Sequence, residues 1–227
     1  MGERSASVAL WPAGRLDVDR SRALATIAMP APPSDDALAH PYLAPIAAIV
    51  ARWLRHSAFH SGAVTVEGGA WAVLGGSGSG KSSLIASLVE LGSGVLADDL
   101  LVVAHGRALA GPSCVDLRED AARVLGRGAP LDVGGGRERW RVHAAPAPAE
   151  LPLRGFVTLA WSEAVRVGPV PVAGRLPRLF ESLALAAAPT DPDALVDLAT
   201  LPMFALERPR RYEVLGEASA RLLQALT

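Results

Sequence analysis

The pattern of apolar and polar positions divides the middle of the chain into short, well-bounded elements. Residues 62–66 and 70–74 are apolar runs typical of buried strands, and the glutamate and glycines between them predict a tight hairpin turn. The second run leads into a stretch of glycine and serine, after which a helix is predicted over 83–91. A strand is predicted at 94–97, and the apolar character continues over 100–104. This succession of strands and helix predicts an α/β fold.

Residues 1–35 show a different pattern, in which prolines interrupt short apolar pieces. Because proline cannot donate a hydrogen bond to a sheet, we expect an irregular arm whose pieces pair only at sheet edges. Ser34 predicts the cap of a helix that runs to about residue 55, with two prolines breaking or restarting it. One face of this helix is apolar. We therefore expect residues 1–57 to be an arm and a helix packed on the same domain as a core over 58–227.

The C-terminal half carries weaker patterns. The glycine-rich segment 126–136 is typical of a mobile loop, and 146–152 is typical of a proline and alanine linker. The apolar run 156–161 predicts a buried strand. The remaining predicted elements are helices over 176–187, 193–198 and 218–226, and a last short strand at 212–215.

Composition narrows the classes of protein to which the chain can belong. Half of its 227 residues are apolar and a fifth are charged, which suits a folded domain with a sizeable core. The formal charge of −1 gives no electrostatic reason to expect nucleic acid or an anionic membrane as a partner. The single cysteine excludes a disulfide framework and a multi-cysteine metal site. With no signal-peptide pattern and no apolar run long enough to span a bilayer, we expect a cytoplasmic protein.

Only one of the 22 basic residues is a lysine, and it ends the glycine-rich stretch. Gly75, four further residues, Gly80, Lys81 and Ser82 match the phosphate-loop (Walker A) pattern, with a predicted strand before it and a helix after it. Glycines let backbone N–H groups turn towards phosphates, lysine places a compact charge on them, and the serine hydroxyl suits Mg²⁺. The residues expected to bind the nucleotide are Gly75, Gly76, Ser77, Gly78, Ser79, Gly80, Lys81, Ser82 and Ser83.

Two classes of nucleotide-binding protein find no support in the sequence. A GTPase reads guanine with a segment containing asparagine and lysine, but the chain has no asparagine and no second lysine. An ABC-type ATPase needs a glutamine-containing signature, and the only glutamine, Gln224, lies in no such motif. The phosphate-loop pattern itself predicts a nucleoside triphosphate with Mg²⁺ as the ligand.

A pair of aspartates follows the phosphate-loop pattern at a spacing that suits catalysis. Asp98 and Asp99 lie 17 and 18 residues after Lys81. A helix of about three turns and a short strand bring that point back beside the loop. One carboxylate can take the proton of an acceptor hydroxyl while the other holds Mg²⁺ or its waters; the alternative is a simple turn. His60, 21 residues before Lys81, is by itself typical of an exposed histidine.

Three features together resemble the catalytic domain of HPr kinase/phosphorylase: His60 before the strand pair, the stretch 75–82, and Asp98 with Asp99 after a short strand. The resemblance covers about residues 58–104 and is closest to the short HPr-kinase-like serine kinases of lasso-peptide biosynthesis. It implies a single P-loop kinase domain related in fold to phosphoenolpyruvate carboxykinase. In that fold, an antiparallel strand pair of a mixed sheet leads into the phosphate loop.

The same resemblance implies roles for the site residues. Asp98 would be the general base and His60 would support it, with Lys81 as a further catalytic residue. Ser82 and Asp99 would hold Mg²⁺. The acceptor would be a serine of a peptide or small protein.

Arginines supply further candidates for contacts to phosphate or substrate. Arg137, Arg139 and Arg141 alternate, so an extended segment would place them on one face, where they could clamp phosphate or an acidic substrate. The alternative is a solvated edge strand. Arg154 is a weaker candidate for the same role. The segment that begins at Arg208 predicts a surface turn.

Together these observations predict a Mg²⁺- and ATP-dependent serine kinase acting on a peptide, in particular a lasso-peptide-type precursor. HPr itself is not the expected substrate, because the segment around Arg154 departs from the signature strand of HPr kinases. One alternative is a small-molecule kinase of the shikimate or gluconate type, in which the phosphate-loop strand is the first of the chain. Another is a nucleotide-binding regulator without transfer activity. No nucleic acid or membrane partner is expected, and homo-oligomerisation stays open.

Overall fold

A large mixed sheet organises the molecule. The computed structural model describes residues 2, 4–10, 14–132, 138–185 and 187–227, and within them nine strands form this sheet and six more form two three-stranded sheets. The strands are β1 (Ser5–Leu10), β2 (Gly14–Asp19), β3 (Leu24–Ala28), β4 (Ser57–Phe59), β5 (Ser61–Val66), β6 (Gly69–Leu74), β7 (Gly94–Ala97), β8 (Leu101–Ala104), β9 (Arg107–Leu109), β10 (Cys114–Leu117), β11 (Ala129–Asp132), β12 (Glu138–His143), β13 (Glu150–Trp161), β14 (Arg166–Pro169) and β15 (Met203–Arg208). The α-helices are α1 (Asp35–Ala37), α2 (Leu43–Trp53), α3 (Lys81–Glu90), α4 (Glu119–Leu125), α5 (Arg175–Glu181), α6 (Pro192–Thr200) and α7 (Leu215–Leu226).

Strand β13 connects the two halves of the large sheet. Its carboxyl half lies between β6 and β15 and is parallel to both, and β14 adds to β15 at the margin. Beyond β6 the order continues with β5 and then β7, and β5 is antiparallel to both neighbours. The amino end of β13 pairs with β9, from which β8 and β4 continue the sheet.

One edge of this sheet collects the ends of five strands. Strands β6, β13, β15 and β7 run in the same direction and end at this edge with Leu74, Trp161, Arg208 and Ala97, while β5 begins there at Ser61. We call it the carboxyl edge. Because the segments that follow parallel strands meet at one edge, stretches far apart in the sequence come together here.

The core occupies both faces of the large sheet, because alternate residues of each strand point to opposite sides. Helices α3 and α7 pack on one face through Leu88 and Leu222. The other face is covered by α5 and α6 through Leu179 and Leu198. A third cluster lies between α2, at Ile49, and the sheet of β1, β2 and β3. Within the described residues, no helix combines the length and the apolar character that crossing a bilayer requires.

The structure confirms the predicted elements that lie before and after the glycine-rich stretch. The hairpin of β5 and β6 turns through Glu67 and Gly68, both with positive φ, as two-residue hairpin turns require. Helix α3 and strand β7 occupy the predicted places. The Ser34 hydroxyl caps α1 by accepting from the Ala37 N–H at 3.2 Å, and a π-helical turn, Leu38–Tyr42, containing a proline joins α1 to α2.

Several other predictions are wrong, because segments with weak strand patterns gain partners in a sheet. Over 1–35 the predicted pieces do pair at sheet edges, as β1 and β3, but the arm is not irregular, since β2 joins them into an antiparallel sheet of their own. The predicted loop 126–136 contains β11, which pairs with β12, and its residues 133–136 lie outside the described part. The predicted linker 146–152 contains the start of β13.

The last predicted strand is also wrong. Residues 212–214 form a 3₁₀ turn, α7 begins at Leu215, and the strand is β15, where the sequence predicts none. Strand β15 pairs with β13 and β14, so its position depends on neighbours distant in sequence.

Candidate active site

Glycines give the loop between β6 and α3 a backbone path that other residues avoid. Gly78 and Gly80 have φ values of +79° and +86°. A Cβ on Gly80 would collide with the Arg208 guanidinium, and a Cβ on Gly75 would crowd the Ser79 hydroxyl. This segment, residues 75–80, is named the glycine loop below. It ends at the first turn of α3, where unpaired backbone N–H groups attract anions.

The side chain of Lys81 reaches back into the glycine loop. Its Nζ donates to the carbonyl oxygens of Gly75 at 2.6 Å and Gly76 at 3.3 Å, and the residue is only 8% exposed. Burial lowers the pKa of Lys81 below its usual value of 10.5, while the carboxylates of Asp99 and Asp98 oppose the shift. The single lysine is therefore a partly desolvated cation at the start of the helix.

Asp98 lies beside the second residue of α3. The Ser82 hydroxyl donates to the Asp98 carboxylate, with Oγ 3.2 Å from Oδ1, and the backbone N–H of Asp116 donates to Oδ2 at 3.0 Å. Asp98 is buried, at 9% exposure. The result is a fixed pair of oxygen atoms, Ser82 Oγ and an Asp98 carboxylate oxygen, next to the glycine loop.

Asp99 points in a different direction because the chain turns sharply at this residue. Asp99 has a φ of +70°, which is unusual outside glycine, and the Leu100 N–H donates back to the Asp98 carbonyl at 2.9 Å. The turn brings Asp99 Oδ1 to 3.2 Å from His60 Nδ1. Both side chains are more exposed than that of Asp98, so they face the open part of the site.

These contacts differ from the ones that the sequence resemblance implies. There, His60 supports Asp98, and Ser82 acts with Asp99. In the structure, Ser82 contacts Asp98, and His60 contacts Asp99. The predicted residues do come together, but the two aspartates have exchanged their neighbours.

Arg208 is buried beside the glycine loop, so the surface turn predicted to begin at this residue is wrong there. It is 4% exposed at the end of β15, and its guanidinium lies 4.5 Å from the ring centroid of Trp161 on the neighbouring β13. Among the described residues its Nε has no hydrogen-bond partner, and burial lowers its pKa. A buried guanidinium in this state favours a bound anion. The sequence signal for it is weak: an apolar run that ends in arginine.

All of these groups line one cleft of about 490 Å³ at the carboxyl edge. The cleft also contains Ser77, Ser83 and Tyr212. Its lining has more basic than acidic side chains, which suits an anionic ligand. The basic residues are Lys81, Arg118, Arg139, Arg208, Arg210 and Arg211, and the acidic ones are Asp98, Asp99, Asp116 and Asp120.

The arginines predicted to contact substrate lie in different parts of the structure. Arg139 lines the cleft, as expected. Arg141 does not: it is 4% exposed and binds the Asp116 carboxylate through two hydrogen bonds of 2.8 Å, because the side chain of Asp116 lies opposite it on the paired strand. Arg154 packs over Gly69 at the other end of β6, away from the carboxyl edge. Arg137 lies outside the described residues.

The oxygen atoms in the cleft suit a hard cation. Mg²⁺ prefers oxygen ligands and usually keeps several waters, with only one or two protein carboxylates and substrate phosphates. Ser82 Oγ and the Asp98 carboxylate fit this description. Among the described residues no group of three or more histidine, cysteine, aspartate or glutamate side chains is arranged to hold a metal by itself.

No family model and no curated protein matches the chain. Among solved structures, the HPr(Ser) kinase/phosphatase from Coxiella burnetii matches with a TM-score of 0.36 and 10% sequence identity, over 74% of this chain and 96% of that chain. A likeness at this level is distant and carries no inference about what this chain binds or does.

Proposed function

We propose that the protein is a Mg²⁺-dependent phosphotransferase that moves the γ-phosphate of ATP to a serine hydroxyl of a peptide or small protein. One observation carries the proposal: a glycine loop around a buried lysine, the Ser82–Asp98 oxygen pair, and Asp99 beside His60 all meet in one cleft. They supply what phosphoryl transfer requires, namely charge on the phosphates, oxygen ligands for a metal, and a base for the hydroxyl.

In this proposal the triphosphate lies along the glycine loop and the first turn of α3. Lys81 Nζ exchanges the Gly75 and Gly76 carbonyl oxygens for phosphate oxygens, which carry more negative charge. Arg208 supplies the second buried cation. Ser82 and Asp98 would hold Mg²⁺, which when bound neutralises charge on the β- and γ-phosphates.

We assign the base to Asp99. The Asp98 carboxylate already accepts hydrogen bonds from Ser82 and from the Asp116 N–H, whereas Asp99 faces the open cleft. The acceptor proton passes to a carboxylate oxygen of Asp99 as the acceptor oxygen bonds to the γ-phosphorus and the bond to ADP breaks. His60 Nδ1, 3.2 Å from Asp99, orients that carboxylate. This exchanges the roles that the resemblance implied for the two aspartates.

A serine of a precursor peptide of the lasso type is the acceptor that the sequence resemblance favours. The alternative small-molecule kinases begin with the phosphate-loop strand, whereas here β5 and four earlier strands precede β6. A nucleotide-binding regulator would also bind ATP but would form no phosphorylated product. The test must therefore detect phosphoryl transfer itself.

The test incubates the full chain with Mg²⁺, ATP and a pool of serine-containing peptides, followed by intact-mass spectrometry. We expect peptides that gain about 80 Da, the mass of one phosphoryl group. Lys81→Ala should abolish the gain, and Arg166→Ala, which alters an exposed arginine of β14 outside the cleft, should retain it. ATP binding without a modified peptide would contradict the proposal and favour the regulator.

A further inference from the structure

A second cavity lies between α2 and the half of the sheet that contains β8 and β9. It has a volume of about 270 Å³, and we name it the apolar groove. A cavity of roughly 150 Å³ already accepts a benzene molecule, so the apolar groove can hold more than one small apolar group. Aliphatic side chains that line it include Leu43, Ala47, Val50, Leu54, Val102 and Leu109.

Helix α2 is apolar on two faces, and the described residues cover only one of them. Ile49 packs against the sheet of β1, β2 and β3 and is 1% exposed. On the face that lines the apolar groove, Leu43 is 46% and Val50 is 37% exposed, and Leu54 just beyond the helix is 54% exposed. A helix face in contact with water is normally polar, so this row of aliphatic side chains indicates a binding surface.

The apolar groove and the candidate active site are adjacent. Asp98 forms part of the lining of both, and its neighbour Asp99 is the proposed base. Because residues of an extended chain are about 3.8 Å apart from Cα to Cα, a short acceptor segment with its hydroxyl at Asp99 is long enough to place a flanking side chain in the groove.

The other residues of the apolar groove are compatible with an uncharged occupant. Burial raises the pKa of Cys114 to about 11, so the thiol is neutral near pH 7 and acts as a small apolar group. Of the described lining residues, Asp98 and His56 are those whose side chains can carry charge near neutral pH. An anionic side chain of an acceptor would therefore lose water and lie close to the carboxylate of Asp98.

We propose that the apolar groove binds aliphatic side chains that flank the acceptor serine. The inference rests on the proposed function and specifies its substrate as a peptide with an apolar segment beside the phosphorylated residue. The length of the groove favours a peptide over a small alcohol, because the α2 residues from Leu43 to Leu54 extend for about 16 Å. An extended chain covers that distance with about five residues.

The test uses synthetic peptides with a central serine, in which each flanking position carries leucine or aspartate in turn. With Mg²⁺ and ATP, we expect leucine to raise kcat/KM about tenfold or more over aspartate at one or two positions, as burial of one aliphatic side chain predicts. Equal kcat/KM for the two residues at every position would overturn the inference.

Val50→Asp places a carboxylate in the apolar groove. We expect the KM for the leucine peptide to rise about tenfold and the preference for leucine to disappear, while ATP binding stays unchanged. Val196→Asp is the matched control, because Val196 is an exposed valine of α6 that lines neither the groove nor the cleft. If Val50→Asp does not fold, as judged by its thermal transition, Leu54→Asp takes its place.

The remaining outcomes separate this inference from the proposed function. The same kinetics in the Val50→Asp and Val196→Asp variants would overturn the groove inference alone. So would a wild-type dimer that becomes monomeric in Val50→Asp with unchanged peptide kinetics, since the groove would then bind a second copy of the chain. No transfer to any peptide while ATP binds would overturn the proposed function, and this inference with it.

Discussion

Asp98 and Asp99 are adjacent in the sequence, yet the positive φ of Asp99 sends their side chains to different neighbours. With Asp99 as the base, Asp99→Asn should lower kcat by ~10²–10⁴-fold while ATP still binds. Asp98→Asn should instead raise the Mg²⁺ concentration required for activity. Steady-state kinetics over a Mg²⁺ titration distinguish the two. His60→Ala should cost less than Asp99→Asn and shift the pH–rate profile. A variant Asp98→Asn that loses kcat at saturating Mg²⁺, with Asp99→Asn near normal, would restore the roles implied by the sequence resemblance.

We expect Arg208 to lower the stability of the free protein and to strengthen the binding of ATP. A guanidinium that is 4% exposed and has an unpaired Nε destabilises the free protein, whereas a phosphate would satisfy it. Arg208→Met should therefore raise the thermal midpoint of the free protein and weaken ATP binding by about tenfold or more. Arg166→Met, at an exposed arginine of β14 that does not line the cleft, is the matched control and should change neither quantity much. An unchanged ATP affinity in Arg208→Met would remove this residue from the site.

At the scale of elements, Arg141 connects β12, β10 and α1 beside the site. From β12 it binds the Asp116 carboxylate on β10 and donates to the Asp36 carbonyl of α1 at 2.6 Å. The Asp116 N–H in turn holds Asp98, so the pair positions the Ser82–Asp98 oxygens. The pair is therefore a positioning device for these oxygen atoms.

Removing one member of this buried pair should be costly. Arg141→Met leaves the Asp116 carboxylate buried beside an apolar side chain, and breaking such pairs typically lowers the free energy of unfolding by about 3–5 kcal/mol. Urea unfolding measures the change. Arg123→Met breaks the exposed pair with Glu119 and should cost less than about 1 kcal/mol. Equal, small decreases in the free energy of unfolding of both variants would show that the buried pair does not hold these elements together.

At the scale of the whole molecule, nucleotide binding should stabilise the fold. A ligand that binds only the native state raises the free energy of unfolding by about 2.7 kcal/mol at 100 times its Kd. Mg²⁺ with ATP should do so for the wild type. Lys81→Ala should lose most of this gain, and Ser82→Ala should recover part of it with excess Mg²⁺. A full gain in Lys81→Ala, measured by thermal unfolding, would contradict the proposed site.

The stabilisation by Mg²⁺ and ATP should also depend on pH, and its sign follows from the pKa of Lys81. Burial lowers the pKa of Lys81 in the free protein, and a bound phosphate would raise it, so binding takes up a proton between the two values. The stabilisation by ATP should therefore shrink as the pH rises through the lowered pKa, below 10.5. Without ligand the sign is opposite: the Lys81 contribution to stability grows with pH, because the unfolded chain binds the proton more tightly. Unfolding with and without ATP from neutral to alkaline pH checks both signs.

The sequence by itself determined the part of the molecule that is built from near neighbours. The β5–β6 hairpin, the glycine loop and α3 follow one another without interruption, and turn chemistry, glycine content and helix pattern act over a few residues. The spacing from Lys81 to Asp98 is likewise fixed by one helix and one strand. Local patterns therefore sufficed for the loop, its lysine and the aspartate pair.

The tertiary structure alone decided which groups share the site and which are buried. Arg208 enters the cleft because β15 pairs with β13, and Arg141 leaves it because β10 pairs with β12. The side chain of Asp99 faces His60 because Asp99 has a positive φ, which the neighbouring residues in the sequence do not predict. The physical reason is the same in each case: strand pairing and burial depend on contacts between segments far apart in the chain, and only the folded arrangement specifies them.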